Sequence, residues 1–100
     1  MAALIWSEKS LADTEDIYDY IAADSPFYAR HQVEKIVASV ERLAEFPESG
    51  RTMPEFIRLP YREVIVDPYR VIYRYDPTGN QVIIVAVVHG RRLLKESSFA

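Results

Sequence analysis

The 100-residue sequence has no cysteine and three isolated glycines, and each shortage excludes a class of site. Without cysteine the chain forms no disulfide bond and no thiolate metal site, which fits a reducing compartment. Three scattered glycines cannot make a phosphate-binding loop. No apolar run approaches the roughly 20 residues of a membrane span, and no basic segment precedes the short apolar run at the N-terminus. We therefore expect a cytoplasmic protein that makes no membrane contact.

Metal ligands are scarce as well. The two histidines, His31 and His89, lie 58 positions apart, and no cluster of carboxylates accompanies either of them. A protein metal site needs several ligands at short spacing, so the sequence predicts neither a metal site nor a cofactor.

The charges of the sequence are divided unequally between its halves. Residues 1–50 hold four basic and ten acidic side chains, whereas residues 51–100 hold eight basic and five acidic ones. Seven of those eight are arginine, whose planar guanidinium suits carboxylate or phosphate groups. The net charge of −3 argues against a protein that coats nucleic acid nonspecifically. We expect a single domain over residues 1–100 that meets an anionic partner with its second half.

The first half has the periodicity of two helices. A short apolar run at 3–6 predicts a strand, and Ser7 is a good N-cap for a helix of about 7–24. Ser25 and Pro26 then predict the start of a second helix, which continues to about Phe46 before Pro47. Two adjacent helices with a tight turn between them form an αα-hairpin.

The second half changes to the period of two that is typical of strands. After a loop at 47–55, the candidate strands are 56–59, 62–67, 69–75 and 81–88, with turns at 67–68 and at "DPTGN". The seven apolar residues 82–88 predict a strand that is buried on both faces. The sequence therefore predicts an α+β fold of two layers, in which the N-terminal strand and helical hairpin pack on one face of an antiparallel meander.

Alternation along residues 69–75 assigns the arginines to the other face of this sheet. The tyrosines and Val71 should face the helices, while Arg70 and Arg74 point away from them, roughly 13 Å apart. His89, Arg91 and Arg92 follow the neighbouring strand. We therefore expect cations from two adjacent strands to converge on one open, concave face.

Several segments together resemble a known family. They are Trp6 at the end of the first strand, "LAEFPESGR" at 43–51, "RE" at 62–63, "YRVIYRYD" at 69–76 and "VVHGRR" at 87–92. In this order they resemble the RelE/ParE superfamily of type II toxins. The resemblance implies a toxin that is neutralised by direct binding of its cognate antitoxin in a hetero-oligomer.

The family divides by target, so the resemblance leaves two functions open. ParE-like members act on DNA gyrase and are not known as nucleases, whereas RelE-like members cleave messenger RNA on the ribosome without a metal. For a nuclease, the resemblance matches Arg70 and Arg92 to the phosphate-binding arginines and Glu55 and His89 to the proton-transfer groups. The tail at 97–99 lacks the tyrosine that those nucleases often carry.

The acidic, lysine-poor composition favours the ParE-like function, because ribosome-directed members tend to be strongly basic. The side chains predicted to bind the antitoxin or the target are Arg62, Arg70, Arg74, His89, Arg91 and Arg92. A purely structural role stays open for each of them, since arginines can solvate an open sheet face and a histidine can bond backbone at a strand end. A nontoxic member of the family also stays open.

Overall fold

The computed structural model describes residues 1–95 as two helices packed on a five-stranded sheet. The helices are α1 (Glu8–Ala22) and α2 (Pro26–Arg42), and a short 3₁₀ helix covers Pro54–Phe56. The strands are β1 (Ala3–Trp6), β2 (Arg51–Thr52), β3 (Arg62–Val66), β4 (Tyr69–Asp76) and β5 (Gln81–His89). Their order in the sheet is β1-β5-β4-β3-β2. The predicted α+β class with a helical hairpin on one face is confirmed.

The N-caps of the helices form as the sequence predicted. Ser7 accepts a hydrogen bond from the backbone of Ser10 at 3.0 Å, and Ser25 accepts one from Tyr28 at 3.2 Å. The α2 helix ends at Arg42, four residues before the predicted end. The chain turns there, and Leu43, which is 1% exposed, still packs into the core on the helix side of the sheet.

The sheet is mixed, because β1 pairs with β5 in parallel while the other strand pairs are antiparallel. Where β5 extends past β1, the start of α1 covers its edge. Ser7 donates to the carbonyl of Val85 at 3.0 Å, and Asp13 accepts from the amide of Val87 at 3.0 Å. These bonds satisfy backbone groups that would otherwise lack a partner strand.

The predicted strand at 56–59 is wrong. The chain instead forms β2 at Arg51–Thr52, inside the predicted loop, and then the 3₁₀ helix. Pro54 and Pro60 flank the apolar residues of this segment and have no N–H to give to a sheet. Met53 is fully buried and anchors the segment against the sheet.

The face of the sheet opposite the helices is not bare, so that expectation is also wrong. A second core forms there from Met53, Ile72, Ala86 and Val88, with partly buried hydrophobic side chains around it: Phe56, Tyr61, Val85 and Leu94. A bulge contributes to this core. Ile72 pairs with Ala86 and Tyr73 with Ile84, which leaves Val85 as an extra residue in β5.

The β5 strand is buried on both faces over much of its length, as its apolar run predicted. Within residues 1–95 neither helix is long and apolar enough to cross a membrane. The serines and the phenylalanine at 97–99, which entered the comparison with nucleases, lie outside the described residues.

Candidate site: a buried ion-pair network and two surface clefts

Arg70 lies on β4, on the sheet face away from the helices, but it is only 6% exposed. Its Nη1 and Nη2 atoms donate to the two carboxylate oxygens of Glu55 at 2.8 and 2.9 Å. Its Nε atom donates to Glu63 Oε1 at 2.7 Å. The prediction that Arg70 is a surface cation is wrong, because the 3₁₀ segment brings Glu55 over it and β3 places Glu63 beside it.

Glu63 connects Arg70 to a second arginine. Its side chain is 0% exposed, and its Oε2 atom accepts a hydrogen bond from Arg51 Nε at 2.5 Å. The four side chains Arg51, Glu63, Arg70 and Glu55 therefore form one network with equal numbers of positive and negative charges. We name it the β3–β4 network.

The ion pair between Arg70 and Glu55 shifts the pKa values of both groups in the directions that favour their charged forms. The hydrogen bonds from Arg70 lower the pKa of Glu55 below the ordinary value of 4.5. The hydrogen bond to Glu55 in turn raises the pKa of Arg70. Both groups are therefore held in their charged forms, and each is neutralised by a partner within the chain.

The remaining sheet arginines, Arg62 and Arg74, lie apart from this network. Arg62 is half-buried at the start of β3 and donates to the carbonyl of Gly50 at 2.9 Å, which holds the turn before β2. Arg74 is exposed near the far end of β4. Arg74 is thus the one predicted sheet-face arginine of residues 1–95 that is exposed.

His89 lies on the opposite face of the sheet from Arg70. It pairs with Tyr69, whose ring packs on the helix side and meets the His89 ring edge to face at 5.8 Å. Its Nδ1 atom accepts a hydrogen bond from the Arg91 backbone at 3.1 Å. Because side chains alternate along a strand, the sheet separates His89 from Arg70 and Glu55.

Arg92 follows His89 and lies on the same side. It lines an open cleft of about 370 Å³ with His89, Tyr20 and the α1 carboxylates Asp13 and Asp16. Arg91 is exposed in the adjoining turn. The predicted convergence of cations on one face is therefore wrong: the two groups lie on opposite sides of the sheet.

The described residues also contain a groove whose lining residues the sequence analysis did not identify. It lies between α1 and α2, has a volume of about 470 Å³ and is mostly apolar: its lining is Trp6, Leu11, Thr14, Glu15, Tyr18, Val33 and Val37. Leu11 and Tyr18 remain 54% and 37% exposed. A signal was present in the sequence, since α1 carries Ile17 and Tyr18 side by side. One of them packs inward, which leaves the other for a second surface.

The described residues contain no group of three His, Asp or Glu side chains that could hold a metal ion. The arrangement thus offers two surfaces of different character. The groove between the helices is apolar, and the sheet carries a charge-balanced network beneath its second face.

The sequence profile of the family described as "ParE toxin of type II toxin-antitoxin system, parDE" matches residues 4–94. The chain belongs to this family. The match covers both helices, strands β2 to β5 and all of β1 except Ala3, so membership rests on nearly the whole sequence and not on the arginines alone.

Individual relatives of this ParE-family chain carry both family names. Toxin RelE2 of Caulobacter vibrioides is 36% identical over 93% of this chain and 100% of its own length. A solved structure of the "Chromosomal ParDE TA system from P. aeruginosa" superposes with a TM-score of 0.73 and 26% identity, over 89% of this chain and 96% of the other. The RelBE2 toxin–antitoxin complex of Mycobacterium tuberculosis has a TM-score of 0.66 at 17% identity, over 88% and 96% of the two chains, which shows the shared fold.

Proposed function

We propose that this chain is a ParE-like toxin that arrests growth through DNA gyrase and is held inactive, in the cytoplasm, by direct binding of its cognate antitoxin. The match to the ParE profile supports the family part of the proposal. The observation that carries the choice of target is the bidentate pair between Arg70 and Glu55, because it occupies two groups that a nuclease would need free.

Metal-free RNA cleavage requires a base, a cation and an acid around one phosphate. Here Arg70 is neutralised by two carboxylates, and the lowered pKa of Glu55 makes it a weaker base. His89 lies across the sheet and cannot share a phosphate with Glu55 in this arrangement. A toxin that binds a protein target does not need these groups to meet.

The second candidate is a RelE-like, ribosome-dependent endoribonuclease. It is favoured by the 36% identity to a protein named Toxin RelE2. In that case Arg70, Arg92, Glu55 and His89 would be catalytic, and ribosome binding would have to release Glu55 from Arg70. The two candidate functions act on different targets, and in both the chain is neutralised by its antitoxin.

Two assays with the same purified protein separate the candidates. In the first, gyrase supercoils plasmid DNA with and without the toxin, and the products are tested for trapped cleaved complexes. In the second, a translation extract is programmed with a defined mRNA, which is mapped for codon-phased cuts. We expect loss of supercoiling with cleaved DNA and an intact mRNA. Codon-phased cuts with unaffected supercoiling would instead establish the nuclease.

For the antitoxin, we propose that the groove between the helices receives apolar anchors from a segment that folds as it binds. The apolar lining of the groove and the exposure of Leu11 and Tyr18 support this docking. Of the predicted binding residues, Arg62, Arg74, His89, Arg91 and Arg92 remain accessible for polar contacts, whereas Arg70 does not.

A pair of tyrosine variants tests this docking. Tyr18→Ser removes a ring from the groove, whereas Tyr28→Ser removes a ring that is 64% exposed near the start of α2 and lies outside the groove. We expect Tyr18→Ser to weaken antitoxin binding by about tenfold or more and Tyr28→Ser to leave it near wild type. Equal effects of the two variants would place the antitoxin elsewhere.

A further inference from the structure

The open cleft between α1 and the end of β5 carries charges of both signs. Four residues line it from α1, and their spacing of three and four positions places them on one face of the helix: Asp13, Asp16, Ile17 and Tyr20. Arg92 lines the same cleft from the turn that follows β5. This surface is separate from the apolar groove and from the β3–β4 network, and it carries none of the contacts described for either of them.

The two acidic side chains of this helix face differ in their partners. Asp13 pairs with Lys9 at 2.8 Å and accepts the amide of Val87, so its charge is compensated within the chain. Asp16 and Arg92 are both exposed, and neither forms an ion pair within residues 1–95. In the part of the chain that the structure describes, the cleft therefore presents one carboxylate and one guanidinium that have no ionic partner.

Aromatic rings line the same cleft and suit a guanidinium. Tyr20 is 80% exposed, whereas Tyr69 is 9% exposed and meets the His89 ring edge to face. Arginine stacks its planar guanidinium on aromatic faces more readily than lysine does, and it can pair with a carboxylate at the same time. Tyr20, Tyr69 and Asp16 together therefore favour an arginine side chain as the occupant of the cleft.

The cleft thus combines a binding place for an arginine with an unpaired arginine of its own. A twofold interface needs such a combination, because each patch meets an identical patch and every contact occurs twice. Two clefts that face each other about a twofold axis place Arg92 of each copy against Asp16 of the other. Leu93, which follows Arg92 and is 94% exposed, lies beside this contact and gains cover from it.

Other partners match the charges of the cleft less well. A partner that carries only cations would meet Arg92, and one that carries only carboxylates would meet Asp16. A second copy brings one charge of each sign to the group that needs it. Because each chain has a net charge of −3, the association works against a general repulsion, and we expect a reversible dimer.

We propose that this face mediates a homodimer, in which Arg92 of each copy enters the cleft of the other and pairs with Asp16 beside the rings of Tyr20 and Tyr69. The inference does not depend on the cellular target. The dimer and the groove proposed for the antitoxin use different faces of α1, since the groove is lined by Leu11 and Tyr18.

Sedimentation equilibrium of the purified full-length chain measures the dimer. We expect a monomer–dimer equilibrium with a dissociation constant roughly in the micromolar range. Asp16→Arg and Arg92→Asp should each weaken the dimer at least about tenfold, because each places like charges opposite one another in both contacts. A wild-type chain that is still monomeric at about 200 µM overturns the proposal.

A mixture of the two variants tests whether Asp16 and Arg92 meet. In a heterodimer of Asp16→Arg with Arg92→Asp, the introduced arginine faces the introduced aspartate, and the unchanged Arg92 faces the unchanged Asp16. We expect the mixture to associate with an affinity near that of the wild type, although neither variant does so alone. The chain that carries both changes should also dimerise. A mixture that associates no better than its components overturns the pairing.

Matched variants control for the change in net charge. Asp19→Arg and Arg74→Asp make the same changes at exposed residues outside the cleft, and we expect them to alter the affinity less than about threefold. Tyr20→Ser should weaken the dimer about threefold to tenfold, with circular dichroism as the check of folding. Equal losses in the controls overturn the specific pairing. A monomeric wild type whose antitoxin complex is weakened by Asp16→Arg would assign the cleft to the antitoxin instead.

Discussion

Arg70 and Glu63 form an ion pair inside the folded sheet, with Nη2 of the arginine 2.5 Å from Oε1 of the glutamate and side chains 7% and 0% exposed. The pair joins β4 to β3 on the face where the sequence predicted a free cation. Removing one member of a buried pair leaves a charge without compensation, whereas replacing both members with apolar side chains can be nearly neutral. We therefore expect the pair to stabilise the folded sheet.

Glu63→Gln tests this role. We expect the free energy of unfolding to fall by about 3 kcal/mol, because the buried guanidinium of Arg70 loses one of its two carboxylate partners and the more exposed Arg51 loses its ion pair with Glu63. Urea denaturation followed by circular dichroism measures the loss. The double variant Glu63→Leu/Arg70→Met should recover much of it. A loss below about 0.5 kcal/mol in the single variant would show that water reaches the site.

Glu55 gives the β3–β4 network a dependence on pH. Hydrogen bonds from Arg70 lower the pKa of Glu55 in the folded state, so its contribution to stability is present above the unfolded value near 4.5 and is lost as pH falls through the folded value. The difference in unfolding free energy between wild type and Glu55→Gln should therefore shrink below about pH 4.5. Since the side chain is 36% exposed, we expect less than about 1 kcal/mol at pH 7. A difference that grows on acidification would contradict the assignment.

Gly50 lies under a buried tyrosine and should not tolerate a larger residue. Its amide donates to Tyr73 Oη at 2.9 Å, and an added Cβ would lie 2.5 Å from that oxygen. We expect Gly50→Ala to lower the free energy of unfolding by about 1–3 kcal/mol, measured by thermal or urea denaturation. Gly79→Ala is the matched control, because its nearest contact is the movable carboxylate of Asp76 at 3.0 Å. Equal effects would remove the steric explanation.

The placement of His89 predicts the behaviour of activity variants. If the target is gyrase, His89→Gln should still arrest growth when induced, because that function needs no proton transfer and glutamine keeps a side chain that can make polar contacts. Glu55→Gln should also still arrest growth, because the loss of stability expected for it is small. Growth curves after induction, with protein levels checked by blotting, give the measurement. Loss of arrest in both variants, together with loss of mRNA cuts, would support the nuclease.

Much of the fold followed from the sequence. Helix spacing with Ser7 and Ser25 as caps placed both helices, and the alternation at 69–75 with its following turn placed the main hairpin. These features are local, because capping, turn formation and periodicity act between residues a few positions apart. The strand predicted at 56–59 was wrong because it was inferred from local pattern alone. The prolines of segment 51–61 and the burial of Met53 determine the path of the chain there.

The site could not be predicted in this way. Arg70 and Glu55 are 15 positions apart and meet because the 3₁₀ segment folds back over β4. His89 was predicted on the face of Arg70 and lies on the other, since the strand pair places it opposite Tyr69. The sequence by itself determined the helices, the main strands and the resemblance to the toxin family. The tertiary structure decided which charges of residues 1–95 are buried and which are exposed, because burial depends on contacts between distant segments.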